Sequence, residues 1–159
     1  MALLKPVADE FWKITSGFKP GGRINPITGK LKPHNGIDLS MPIGTEIFSI
    51  EEGTVIKTNF DSVSGLYIII DHGNNLTSKY LHLSKIFVKL NEKVEQGQLI
   101  ALSGNTGLTT GPHLHFSIQK NGIPIDPAKE SLYNINYNYI IKGFAIAIPI
   151  FIFLMSRRS

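Results

Sequence analysis

Two short segments of the chain carry the side chains best suited to binding a metal ion. The first is His34-Asn35-Gly36-Ile37-Asp38, and the second is His113-Leu114-His115. Together with His82 they contain four of the five histidines, in a chain that has no cysteine. Imidazole and carboxylate groups without thiolates can form a zinc site from nitrogen and oxygen atoms. The sequence therefore predicts a metal site of this kind.

The second segment has the spacing that a β-strand places on one face. Residues i and i+2 of a strand point to the same side. His113 and His115 are therefore expected to face one cavity, while Leu114 faces the core. One imidazole on such a face can ligate the ion and the other can carry a proton. The pair alone is weak evidence, because this spacing also arises by chance.

His34 and Asp38 are four residues apart, which would place them on one face of a helix. Pro33, Gly36 and the following Leu39-Ser40-Met41-Pro42 argue against a helix. We predict a loop that enters a strand, with Gly36 allowing the chain to wrap around the ion. Taken alone, Asp38 would more often cap a turn, and His34 would more often be a surface histidine.

The other two histidines have less distinctive surroundings. His82 follows Tyr80-Leu81 at the predicted end of a strand, where a lone histidine is usually a packed or surface residue. His72 lies in a predicted hairpin turn and is left out of the site.

The elements that must position these residues are predicted to be strands. An apolar run from Leu66 to Ile70, a turn over Asp71-His72-Gly73-Asn74-Asn75 and a second run from Leu76 to Leu81 predict a β-hairpin. No stretch of the chain centre has the 3.6-residue periodicity of a long helix. We therefore predict a mainly β protein, a compact antiparallel β sandwich or open barrel, with a hydrophobic C-terminal helix.

Three regions are predicted along the chain. Residues 1–32 form a lead-in rich in glycine and proline, an ordered loop along a cleft that packs on the body. Residues 33–130 form the core, and residues 137–156 form a transmembrane or membrane-anchoring helix. Residues Met1 to Pro20 do not have the uninterrupted apolar run of a secretory signal peptide.

The C-terminal segment is strongly apolar. From Gly143 to Met155 it has no charged residue, and from Tyr137 onward it is about 20 residues long, the length that spans a bilayer. A lipid membrane is thus a predicted partner, and Arg157 and Arg158 would leave the catalytic domain on the outer side, facing the cell wall. The alternative is an apolar tail that packs against a partner protein or aggregates.

Charge and composition limit the other partners. The net charge is +4 and the pI is about 9.3, which suits an anionic partner but is equally compatible with a mildly basic surface that has no target. No nucleic acid partner is expected, because lysines and aromatic residues are not densely interleaved. Without cysteine, the chain can form neither disulfides nor thiolate metal sites.

Six segments resemble the M23 family of zinc metallopeptidases, the lysostaphin or LytM type. They run in order from about Ile14 to Pro127 and comprise Ile14-Thr15-Ser16-Gly17-Phe18, Arg23-Ile24-Asn25-Pro26-Ile27-Thr28-Gly29, His34-Asn35-Gly36-Ile37-Asp38, Tyr80-Leu81-His82-Leu83-Ser84, Ser103-Gly104-Asn105-Thr106-Gly107 and Thr110-Gly111-Pro112-His113-Leu114-His115-Phe116. The two histidine segments together are highly specific. The resemblance does not extend to the C-terminal tail.

This resemblance implies an antiparallel β fold and hydrolysis of peptide bonds in peptidoglycan stems or cross-bridges. It implies that His34, Asp38 and His115 bind one Zn²⁺ ion and that His82 and His113 form the catalytic pair. Three protein ligands leave a fourth coordination position for water, which is typical of a catalytic zinc site. Since no HExxH glutamate is present, histidine is expected to be the general base, with the two roles left unordered.

Three alternative functions make different demands on the sequence. A lipoyl or biotinyl carrier domain requires a modified lysine in a hairpin, often beside methionine, and no methionine here has an adjacent lysine. The loop from Ser103 to Gly111 lacks the Gly-Lys-Ser/Thr ending of a phosphate-binding loop, so we expect it to frame the site. A non-catalytic cell-wall-binding or hydrolase-activating module of the same fold stays open. The biological setting is also open, either a virus particle and its membrane, which we favour, or a cellular envelope.

Overall fold

The computed structural model describes residues 3–134, in which almost all regular structure is β-strand. The strands, in chain order, are β1 Leu3–Leu4, β2 Ile14–Ser16, β3 Lys19–Ile24, β4 Leu31–His34, β5 Ile37–Ser40, β6 Glu46–Phe48, β7 Gly53–Asp61, β8 Gly65–Asp71, β9 Leu76–Ile86, β10 Lys93–Val94, β11 Leu99–Ser103, β12 His113–Lys120, β13 Ile123–Ile125 and β14 Leu132–Tyr133. Two short 3-10 helices cover Asp9–Phe11 and Pro127–Lys129.

One large open sheet organises the molecule. Its main path runs β10-β7-β8-β9-β12-β5-β2, with β13 beside β12, β11 beside β9, and β6 beside β11. All of these pairs are antiparallel. A separate hairpin of β3 and β4 and a parallel pair of β1 with β14 complete the strand pairing of residues 3–134. The prediction of a mainly β, antiparallel fold is confirmed.

The predicted hairpin between residues 66 and 81 is present as β8 and β9. Its turn places Asn74 and Asn75 at φ 48° and 58°, a left-handed conformation that asparagine tolerates better than most residues. Alternation then brings Ile68, Ile70 and Tyr80 into a core with almost no solvent exposure. The β-branched residues that define these strands in the sequence thus fill the core.

The lead-in is more regular than predicted. Instead of an ordered loop, β2 forms the edge of the large sheet by pairing with β5, and β3 pairs with β4. The physical reason is that the edge of β5 offers backbone donors and acceptors that an adjacent strand satisfies better than a loop does. The division into residues 1–32, 33–130 and 137–156 stays a prediction.

The predicted hydrophobic C-terminal helix, over residues 137–156, lies outside the described residues. Between residues 3 and 134, no helix is both long enough and apolar enough to cross a bilayer.

Candidate metal centre and catalytic cleft

The five residues selected from the sequence lie in one cleft of about 620 Å³. His34 is the last residue of β4, Asp38 lies in β5, His82 lies in β9, and His113 and His115 lie in β12. Strand pairing places Asp38 directly opposite His115 and leaves Leu114 fully buried in the core, as the alternation predicts. His72, excluded at the sequence level, is not among the lining residues of the cleft.

Three donor atoms converge as a metal site requires. His34 Nε2 lies 3.0 Å from Asp38 Oδ1, His115 Nδ1 lies 2.8 Å from the same oxygen, and the two ring nitrogens are 3.2 Å apart. Among residues 3–134, this trio is the group of histidine and acidic side chains whose ligand atoms all lie within 4.8 Å of one another. One carboxylate and two imidazoles are a common donor set for zinc.

The loop between β4 and β5 can approach β12 only because residue 36 is glycine. A Cβ atom at Gly36 would lie 2.4 Å from the Phe116 carbonyl oxygen and 2.8 Å from His115 Nε2. The sequence-based interpretation was that Gly36 lets the chain wrap around the ion. In the structure Gly36 allows close packing against β12, and His34 is at a strand end rather than in a loop, while the wrapping around an ion stays a prediction.

Backbone carbonyls fix the orientation of three of the four site histidines. The Nδ1–H groups of His34, His82 and His113 donate to the carbonyl oxygens of Gly17, Thr106 and Gly111, at 2.7, 2.9 and 2.8 Å. Because a carbonyl oxygen only accepts, the proton of the neutral ring must be on Nδ1. The Nε2 atom of each neutral ring therefore carries a lone pair that can accept a proton or bind an ion, and that of His34 lies against Asp38 Oδ1 and His115 Nδ1.

His82 has an unusual backbone conformation. The prediction that His82 ends a strand is wrong, because β9 continues to Ile86. β9 pairs with β12 as far as Leu81 and with β11 from Leu83, and His82 lies at this change of partner with φ 64°. Non-glycine residues with positive φ are uncommon, and such conformations are concentrated at functional sites.

Electrostatics favour a neutral His82 and an ionised Asp38. Burial lowers the pKa of His82 to about 4, which keeps the ring neutral near pH 7. Burial alone raises the pKa of Asp38, but hydrogen bonds and charge interactions with His115 and His34 outweigh it and hold that pKa well below the usual range. Burial also lowers the pKa of His115. These protonation states suit a carboxylate and an imidazole that bind a cation and an imidazole that accepts a proton.

Arg23 lies in one of the motifs described above, but the sequence predicts no role for it in the site. Its guanidinium contacts Asp38 Oδ2 at 3.1 Å, while Oδ1 faces His34 and His115. The two carboxylate oxygens therefore have different partners, and the arginine holds the carboxylate in one orientation. An arginine followed eleven residues later by a histidine gives no signal of this contact, because the contact depends on the β3–β4 hairpin.

His82 and His113 are neighbours across the cleft. Their ring centroids are 4.6 Å apart, and His113 Nε2 is 3.8 Å from Asp38 Oδ1. The loop that carries Thr106 also provides cleft residues from Leu108 to Pro112, which confirms that the glycine-rich segment frames the site. The rings of His82 and His113 therefore lie beside the three candidate ligands rather than among them.

The chain is similar in sequence to known peptidases. The model of Peptidase family M23 matches residues 32–127. Peptidoglycan DD-endopeptidase ShyA of Vibrio cholerae is 46% identical over 124 residues, covering 78% of this chain and 29% of ShyA. The chain thus spans only about 30% of the length of such curated relatives.

Solved structures show the same fold. A zinc containing peptidase from Vibrio cholerae has 42% identity and a TM-score of 0.77, covering 84% of this chain and 41% of that protein. The catalytic domain of the antimicrobial peptidase lysostaphin from Staphylococcus simulans has 30% identity and a TM-score of 0.65, covering 78% of this chain and 96% of that domain. By sequence and fold, the chain belongs to peptidase family M23.

Proposed function

We propose that the chain is a zinc-dependent endopeptidase that hydrolyses peptide bonds in the stems or cross-bridges of bacterial peptidoglycan. The observation that carries the proposal is the convergence of His34, Asp38 and His115 beside two further imidazoles in one cleft. The similarity to proteins named peptidoglycan DD-endopeptidases supports the substrate class.

The donor set fits one Zn²⁺ ion. His34 Nε2, Asp38 Oδ1 and His115 Nδ1 would hold it, since all three atoms face the same point and His34 has its other ring nitrogen engaged by a backbone carbonyl. When bound, zinc acts as a Lewis acid that polarises the scissile carbonyl and lowers the pKa of water. Arg23 keeps Asp38 oriented toward the two imidazoles.

Proton transfer is assigned to His82 and His113. Each ring has its Nδ1–H group held by a backbone carbonyl, so each can accept a proton at Nε2 and later return it to the leaving amine. The lowered pKa of His82 makes the neutral form available near pH 7. The order in which the two rings act is not assigned.

A non-catalytic wall-binding or activating module is the alternative. The presence of all five site residues favours the enzyme, because a binding module does not need free Nε2 atoms beside a ligand triad. Zinc content and release of dye from labelled peptidoglycan test the choice. We expect one zinc per chain and dye release that a chelator abolishes. Zinc-loaded protein that releases no dye would support the alternative, and mass spectrometry of the new amines in digested sacculi would identify the bond.

We also propose that residues 137–156 anchor the chain in a membrane with the catalytic domain facing the cell wall. The support is the apolar composition of this segment, whether the membrane belongs to a cell or to a virus particle. Carbonate extraction tests the anchor, and full release into the soluble fraction would contradict it. Detection of the chain in purified virus particles tests the viral setting, and its presence only in uninfected envelopes would reject it.

A further inference from the structure

Within residues 3–134, net positive charge is concentrated in one segment beside the cleft. Between Phe11 and Ile37 there are five cationic residues and no carboxylate, so this segment contributes +5 while the whole chain has +4. The cationic residues are Lys13, Lys19, Arg23, Lys30 and Lys32. Although the lysines are spread along the sequence, those of this segment are not balanced by local acids.

Two of these cations face each other on the wall of the cleft. Arg23 in β3 is the register partner of Lys32 in β4, and both line the cleft. Lys32 precedes His34 by two residues, which places it on the face of β4 that bears the metal ligand. Like charges directly opposite each other on paired strands destabilise the pair, so this arrangement is unfavourable in isolation.

Only one of the two charges is compensated by the protein. Arg23 forms an ion pair with Asp38 at 3.1 Å. Lys32 has no ion pair with any residue between 3 and 134. An uncompensated ammonium group on the wall of a binding cleft is positioned to receive an anion from a ligand.

We propose that Lys32 forms a carboxylate subsite of the cleft, which selects an acidic peptide over a neutral one. This inference rests on the proposed peptidase function and specifies its substrate more closely. The carboxylate can be a side-chain group or a chain terminus, and both present the same chemistry to the ammonium group. Lys32 is exposed, so salt screens the interaction and its contribution is moderate.

The test measures peptide binding separately from hydrolysis. A fluorescent cross-linked wall peptide with free carboxylates is titrated into zinc-loaded His113→Ala protein, and its Kd is read by fluorescence anisotropy. The same titration uses Lys32→Gln in that background, and Lys120→Gln as the matched control. Lys120 is an exposed lysine at the opposite end of β12 from His113.

Lys32→Gln is expected to raise Kd roughly three- to tenfold at low salt, the range of a partly screened charge-assisted contact, whereas Lys120→Gln leaves it within twofold. Full amidation of the peptide should remove the difference between the Lys32 forms, and amidation of only the terminus or only the side chain identifies the source of the carboxylate. The subsite would be overturned by an unchanged Kd in Lys32→Gln, by an equal increase in Kd with the amidated peptide, or by a lack of peptide binding to the protein that retains Lys32. Absence of hydrolysis by the wild-type chain would instead overturn the proposed function and leave the Kd comparison valid.

Discussion

The histidines of the cleft and His72, which lies outside it, have different hydrogen-bonding arrangements. In the cleft, His34, His82 and His113 each use Nδ1 to donate to a carbonyl oxygen and leave Nε2 toward the cavity. Outside the cleft, His72 uses both nitrogens within the protein. Its Nδ1–H donates to the Glu52 carbonyl at 2.8 Å, and its Nε2 is 2.7 Å from the Ser78 hydroxyl.

The partners of His72 continue into the core. The Ser78 hydroxyl hydrogen bonds with the Tyr80 hydroxyl at 3.1 Å, and the Ile50 N–H donates to the same tyrosine oxygen. Burial raises the pKa of Tyr80 to about 12 and lowers that of His72, so both groups stay neutral. His34 and His82 are as buried as His72, so burial does not distinguish these histidines. What separates the cleft histidines from His72 is the surroundings of the second ring nitrogen: Nε2 of His34 lies among the candidate ligand atoms, whereas Nε2 of His72 is bonded to a serine hydroxyl.

Replacing His34 by alanine is expected to have the largest effect on the cleft. Removing one of three ligands should abolish stoichiometric zinc binding and, with it, hydrolysis. Zinc content after dialysis and dye release from labelled peptidoglycan check both losses. A His34→Ala protein that keeps one zinc per chain would remove this residue from the ligand set.

His113→Ala is expected to separate metal binding from catalysis. Zinc content should stay at one per chain, and hydrolysis should fall by about 10² to 10⁴, the usual contribution of a positioned general acid or base. Rates and zinc content are measured on the same preparation. Metal-free His113→Ala protein would overturn the division of roles between the ligand group and the catalytic pair.

Arg23→Met is expected to weaken zinc binding without removing a ligand. Loss of a group that orients a ligating carboxylate typically lowers metal affinity by about 10- to 100-fold. Competition with a fluorescent chelator gives the affinity. Lys19→Met, another cation in the same strand and one without an ion pair in the described part of the chain, is the control and should leave the affinity unchanged.

Acidification should destabilise the zinc-free protein through His82. The folded pKa of about 4 is below the ordinary value of 6.5, so between these values the unfolded chain binds more protons. The free energy of unfolding should therefore fall as pH drops from 6.5 to 4, by roughly 2 kcal/mol from this residue. Urea unfolding at several pH values measures the slope, which His82→Gln should reduce. An unchanged slope in that variant would contradict the assignment.

Replacing His72 is expected to affect stability alone. His72→Phe leaves the Ser78 hydroxyl and the Glu52 carbonyl without this partner, which should cost about 1–2 kcal/mol of unfolding free energy. Zinc content and hydrolysis should match the wild type at a temperature where both proteins are folded. Loss of zinc in folded His72→Phe protein would show that the two groups of histidines are coupled.

Much of this arrangement follows from the sequence because it depends on strand alternation and local turns. The prediction that His113 and His115 face the same side requires only the two-residue repeat of a strand. The prediction of the β8–β9 hairpin requires only two apolar runs and an Asn-rich turn. The resemblance to a known family then assembled residues that are distant along the chain.

The features that the sequence did not predict depend on contacts between residues that are far apart along the chain. The partner of Arg23, the carbonyl that orients His82 and the reason for Gly36 all depend on strand register, which no local pattern in the sequence specifies. The left-handed conformation of His82 has the same cause, since it arises where β9 changes its partner strand. The strands of the chain centre could thus be predicted, whereas those of the lead-in, the register and the exceptions to regular strands could not.

The parallel pairing of β1 with β14 has a mechanical consequence. Leu3 and Leu4 lie beside Leu132 and Tyr133, and the Lys5 N–H donates to the Tyr133 carbonyl. The two strands run in the same direction. Tension between the start of β1 and the end of β14 would therefore pull the strands past each other and strain all of their hydrogen bonds at once. A tether on either side would therefore load this pair of strands in shear.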